Sequence, residues 1–266
     1  MSTGTYAPKP GAAPVGRMIA AQTALETRML LRNGEQLLLT VIIPSLLLVL
    51  FSTVDIISVP VSTTGDADKA VDFLAPGILA LAVLSTAFTG QAIATGFERR
   101  YGVLKRLGAS PLPRWALMTA KTLAVLVTEI LQIALLTAIA LALGWSPNGA
   151  ATFTGVLSVL LLLVLGTAAF SGLGLLMAGT LKAEATLAAA NLVFLLLLVG
   201  GGVVVPLEKF PDAARSVLEL LPISALSDGL RAILQNGAAL PWGDALTLAV
   251  WAVLGLGAAA RFFRWE

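Results

Sequence analysis

Residues 96–123 read GFERRYGVLKRLGASPLPRWALMTAKTL. Six of the chain's 17 basic residues fall here: Arg99, Arg100, Lys105, Arg106, Arg114 and Lys121. Long apolar runs flank the stretch on both sides. The 266-residue chain is 58% hydrophobic and only 12% charged, with a mean hydropathy of +0.92. Soluble domains carry about 25% charged residues, so this chain cannot cover itself with a water-compatible surface. It reads as an integral membrane protein, and the basic stretch as a loop between two spans.

Working outward, six apolar segments are long enough to be helical spans, each needing about 20 residues. They are predicted at 37–57, 73–97, 116–143, 153–180, 185–205 and 242–262. Pro44 is a kink site in the first. The third is longer than the hydrocarbon layer requires and so tilts or projects into water. Residues 1–16 are Pro/Gly/Ala-rich and read as a disordered tail, leaving 17–266 as one membrane domain. Residues 17–34 place Met18, Gln22, Leu25 and Met29 at helical spacing, which predicts an amphipathic interfacial helix.

Orientation follows from Lys and Arg in the short loops. With a cytoplasmic N-terminus, thirteen basic residues lie inside and four outside. Both termini are therefore expected in the cytoplasm, with the basic stretch on that side. Between Phe97 and Leu107 the pattern is helical: Phe97, Tyr101 and Leu104 share a face, and Arg99, Arg100, Lys105 and Arg106 fill much of the rest. Gly108 can stop that helix, and Pro111 and Pro113 block its continuation. Two readings fit: a loop gripping anionic headgroups, or a helix that docks on a protein.

A second irregular segment, PLEKFPDAARSVLELLPISALSDGLRAILQNGAALP, occupies 206–241 between the last two spans. It holds two amphipathic pieces, at about 212–221 and 224–235. Pro211 precedes the first and Pro222 parts them. Neither can cross a bilayer, and Val217, Leu218, Leu221, Leu226, Leu230 and Ile233 need burial. A helical hairpin re-entering the outer leaflet satisfies both facts.

The chain has no Cys and no His, which excludes disulfides, the usual zinc and haem ligand sets, and catalysis by those side chains. No Gly-Lys dipeptide occurs, so there is no P-loop to cradle ATP phosphates. Energy must come from a partner or a gradient.

These two segments together carry a resemblance. ERRYGVLKRLGASPLPRWALMTAK matches the signature between spans two and three of type-two ABC exporter permeases. PLEKFPDAARSVLELLPISALSDGLRAIL looks like that family's outer segment. With six spans and the N-terminal helix, the resemblance covers about 17–264. It implies a coupling helix seated in a separate cytoplasmic ATPase, involving Glu98, Arg99, Arg100, Gly102, Leu104, Lys105, Arg106, Leu107, Gly108 and Pro111. It implies an outer gate at Pro206, Pro211, Pro222, Asp228 and Arg231. It also implies two permeases, as a homodimer or heterodimer, with two ATPases that bind ATP and Mg. Export of a drug, antibiotic or lipid-like compound across the plasma membrane is the expectation; polysaccharide or haem export lies within the same family.

Within the spans, Glu129 stands about 15 Å from the cytoplasmic edge, where a charge costs at least about 2.5–3.5 kcal/mol. It must face a partner or a wet cavity, and Gln132 lies one turn on. Ser85, Thr89 and Gln91 in span two and Asn191 in span five serve as helix-joining hydrogen bonders or as pathway contacts. Small residues (Thr86, Gly90, Ala94; Ala168, Gly172; Gly174, Ala178) allow close helix approach. A gradient-driven secondary transporter is the rival class, and Glu129 alone is a thin proton relay. An intramembrane enzyme is disfavoured by the lack of paired carboxylates in the spans. Nothing suggests nucleic acid as a partner.

Overall fold

The computed structural model describes residues 12–34, 38–53, 70–147, 152–203, 207 and 210–264, and these contain helices and no strand. Helix α1 spans Val15–Arg32. A π-helical turn, Leu38–Ile42, leads into α2, Ile43–Thr53. Next come α3, Ala70–Arg100, and the short α4, Val103–Gly108. Three long apolar helices follow: α5, Arg114–Ala142; α6, Phe153–Thr180; and α7, Ala183–Gly200. The chain closes with α8, Asp212–Leu218, α9, Pro222–Leu234, and α10, Trp242–Phe262.

Five helices, α3, α5, α6, α7 and α10, are long and apolar enough to cross a membrane, and a shorter apolar helix covers Thr40–Thr53. This is the all-helical membrane architecture expected, with the first span shorter in its described part than the 37–57 predicted. The tail expected over 1–16 lies mostly outside the described residues, as does Pro206; Val15 and Gly16 already belong to α1.

The bundle is organised around α3. From Val71 to Leu84 nearly all of it is buried, with Leu74, Ile78, Ala80, Ala82 and Val83 fully inaccessible. Its sequence, AVDFLAPGILALAV, alternates small and branched residues, so neighbours on every side approach closely. By contrast α5, α7 and α10 keep broad exposed apolar faces, such as Ile130, Leu196 and Val253, which suit lipid rather than water as solvent.

Helices in lipid gain little from hydrophobic burial against one another, so packing and hydrogen bonds must hold them. The closest approach joins α6 and α10. A Cβ added at Gly172 would stand 2.5 Å from Leu256 N and 2.7 Å from Gly255 C. Only glycine permits that crossing. Gly174, two residues on, faces the other way, its missing Cβ 2.8 Å from Phe88 O of α3. The small residues of span four thus serve two contacts on opposite faces.

The predicted outer hairpin is half confirmed in its packing. Helix α9 is buried over nearly its whole length against α3, α6 and α10, with Leu226, Leu230 and Ile233 inaccessible. Pro222 opens it at the first helical position, where its missing N–H is harmless. Helix α8 buries nothing; Val217 is 63% exposed, contrary to the expected burial. Seven residues give too little apolar face to compete for the core that α9 fills. The glycines before the hairpin form a close contact: Gly201 backs onto Ile223, and its carbonyl accepts from Ser227 Oγ at 3.2 Å. Gly202 turns the chain at φ 66°.

Candidate coupling element and translocation cavity

The stretch expected to be one helix from Phe97 to Leu107 is two. Helix α3 runs through Arg100, Tyr101 ends it, and Gly102 adopts the left-handed conformation at φ 71° before α4 begins. Phe97 and Tyr101 do stack, 6.1 Å apart. Leu104 does not join them. The reversal at Gly102 turns it inward, where it is fully buried among Leu112, Ala116, Leu117, Leu175, Ala259 and Phe263. Met18 and Ile19 of α1 pack on the same cluster. Leu104 thus seats α4 in a buried cluster to which α1, α5, α6 and α10 also contribute.

The remaining residues divide between anchoring and exposure. Arg99 donates to the carbonyls of Ala178 at 2.9 Å and Leu181 at 2.7 Å, closing the C-terminal end of α6. Arg100 pairs with Glu184 at the start of α7, both half-exposed. Glu98 faces inward. Its carboxylate lies 2.6 Å from Lys121 Nζ, which also holds Glu26 of α1 at 3.0 Å. Gln22 donates to Glu26 at 2.8 Å. Tyr101, Val103, Lys105, Arg106, Gly108 and Pro111 remain exposed, and Leu107 is partly covered.

Helix α1 accordingly differs from the expectation. Its buried residues are Gln22 and Glu26, whereas Leu25 and Met29 are about half exposed. The ionic contact with Lys121 decides which face turns inward. Thr23 meets the Ala120 carbonyl at 3.4 Å, so α1 is docked along the N-terminal part of α5. Glu26 was not singled out in the sequence, and Lys121 only as one of six basic residues of the stretch 96–123. The only signal was the Gln22–Glu26 spacing of four, indistinguishable there from a solvated pair.

The polar residues of the spans separate into two sets. Gln132 joins three helices: it accepts from Thr86 Oγ1 at 2.8 Å and donates to the Thr40 carbonyl. Glu129, 2% exposed, accepts from Thr167 Oγ1 of α6. Neither lies on the cavity between α2, α3 and α7. Ser85, Thr89 and Asn191 do. The cavity holds about 500 Å³, with Pro44, Ile93 and Phe194 among its apolar walls. A π-helical segment, Leu84–Gly90, lies in α3 at this level. It lets Thr86 turn to Gln132 while Ser85 and Thr89 face the cavity. Gln91 lies off this cavity, in a smaller polar pocket beside Glu98 and Lys121.

At the opposite end Arg231 is 8% exposed. Its guanidinium donates to Val203 O at 2.9 Å, pairs with Asp228 at 3.0 Å and stacks over Phe73 at 4.2 Å. It locks α9 to α3 and to the end of the glycine turn. Pro211 precedes α8 on the surface and Pro222 is buried.

Residues 13–261 match the family model for ABC-2 family transporter proteins. The chain belongs to the ABC-2 transporter family. A Bacillus subtilis (strain 168) protein named "Putative transport permease YvfS" is 25% identical over 240 residues, covering 89% of this chain and 93% of the relative. As an ABC-2 family member the chain is a multi-pass permease, the membrane subunit of a transporter. The family implies an ABC ATPase as partner.

Proposed function

We propose that this permease is the membrane half of an ATP-driven exporter, with α4 as the element through which the ATPase moves the bundle. The supporting observation is the anchoring of Leu104. A docking element transmits force only if it is tied to what must move, and Leu104 seats α4 in a buried cluster shared with α1, α5, α6 and α10. Lys121, bridging Glu26 and Glu98, adds a second tie from α1 to α3 and α5. Tyr101, Val103, Lys105 and Arg106 are left to meet the partner.

Two permeases, identical or sister chains, would assemble with two ATPases, which hold ATP and Mg. Both termini and α4 face the cytoplasm of the plasma membrane in this reading. The cavity at Ser85, Thr89 and Asn191 is mostly apolar with a few hydroxyl and amide groups, which suits an amphiphilic or apolar cargo such as a drug, antibiotic or lipid-like compound. Glu129 and Gln132, bonded between helices, offer no proton relay to a gradient-driven alternative.

The test uses the absence of native cysteine. A single cysteine at Val103 or Arg106 should cross-link to the ATPase, and the yield should change with ATP. Reconstituted vesicles should move cargo only with hydrolysable nucleotide. Cross-links to lipid alone, or transport driven by a proton gradient with an inactive ATPase, would sink the proposal.

A further inference from the structure

On the outer side of the α1–α5 contact lies an open groove of about 940 Å³. Its walls are apolar: Ala20 and Ala24 from α1, and Leu123, Leu126 and Val127 from α5. Arg28 and Arg32, one turn apart near the end of α1, rim it. Neither makes an ion pair with an acidic group among the described residues. Two guanidiniums beside a greasy channel, with no acidic partner among the described residues, call for an amphiphile with a negative head.

The depth of the groove fits that occupant. Helix α5 has 29 residues, about 43 Å at 1.5 Å each, which exceeds the roughly 30 Å of hydrocarbon. Counting back about 20 residues from Ala142 puts the hydrocarbon boundary on the α1 side near Leu123, one turn further in than the edge implied by the sequence. Arg28 and Arg32 line the same groove as Leu123 and Val127, and their long side chains can reach from there to the level of the lipid phosphates. Beyond them Val127, Ile130 and Leu131 form an exposed apolar ridge on α5, 42%, 59% and 57% accessible, along which an acyl chain can run.

We propose that this groove is a binding site for an anionic phospholipid, its phosphate held between Arg28 and Arg32 and one acyl chain lying against Leu123, Leu126 and Val127. The lipid completes the outer wall of α1, whose inner wall is fixed by Lys121. The site is independent of the ATPase reading and of the cargo.

The experiment takes the full chain in detergent and adds phosphatidylglycerol, phosphatidylcholine of equal chain length, or glycerol phosphate. Native mass spectrometry counts retained lipid, and thermal unfolding reports stabilisation. Phosphatidylglycerol should remain bound and raise the unfolding temperature; the other two should not. Arg28→Ala with Arg32→Ala should weaken retention about thirtyfold, taking about fivefold per basic residue at a membrane surface. Ala24→Trp fills the groove while keeping both charges, so it should also abolish retention. It gives the same answer should the double variant fail to purify. Equal retention of both lipids overturns the site. So does full retention by Ala24→Trp, which would mean that the arginines only attract bulk headgroups, or a shift with glycerol phosphate alone.

Discussion

Lys121 Nζ lies 2.6 Å from Glu98 Oε2, a contact between α5 and the C-terminal end of α3 that also captures Glu26 of α1 at 3.0 Å. Three carriers of charge, all largely buried, meet where α1, α3 and α5 come together. Such a cluster contributes through its completeness: removing one partner strands the others.

Lys121→Met is therefore expected to destabilise the permease by about 3–5 kcal/mol, since two carboxylates lose their cation. Adding Glu98→Gln and Glu26→Gln should restore much of that loss. Thermal unfolding in detergent measures both. A single variant as stable as the parent would show that the cluster holds nothing.

Leu104→Ala removes the side chain around which α4 is packed, and should cost about 2–5 kcal/mol. Gly102→Ala meets no steric obstacle, but forces a left-handed residue at a cost of about 1–2 kcal/mol. Both should lower ATP-driven transport before they lower expression. Transport per folded molecule, with protein quantified by gel filtration, separates the two effects.

Gly172→Ala places a methyl group 2.5 Å from the backbone of α10. Forcing the two helices apart should cost about 1–3 kcal/mol. Gly257→Ala, on the same helix as Gly255 but with open space around it, should be neutral or gain about 0.5–1 kcal/mol from helix propensity. Opposite signs in unfolding temperature are the expected readout.

Glu129→Gln keeps an acceptor for Thr167 and lies off the cavity between α2, α3 and α7, so transport should be unchanged. Asn191→Leu alters the cavity wall and should shift the range of compounds carried without lowering stability. A transport assay over several cargoes checks the contrast. Loss of transport in Glu129→Gln with unaltered Asn191→Leu would reverse the assignment.

The membrane class, the span positions and the two irregular segments were legible because each is written in composition or in local spacing. Spans four and six match their predicted limits at 153–180 and 242–262. A run of apolar residues between polar ends leaves the chain little choice of boundary. The proline that opens α9 and the apolar spacing behind it likewise announced a helix that must be buried. The turn at Gly102 was less visible, since a glycine inside a helical pattern is compatible with both continuation and reversal.

What the sequence by itself determined is therefore the number of apolar helices, their order and the location of positive charge, all properties of neighbours along the chain. Only the tertiary structure decided which polar face was the inner one. Gln22 and Glu26 are buried because Lys121, 95 residues away from Glu26, arrives beside them, and Leu104 turns inward because α5, α6 and α10 supply its pocket. The charge and shape that settle those choices sit on other helices, where no local pattern can register them.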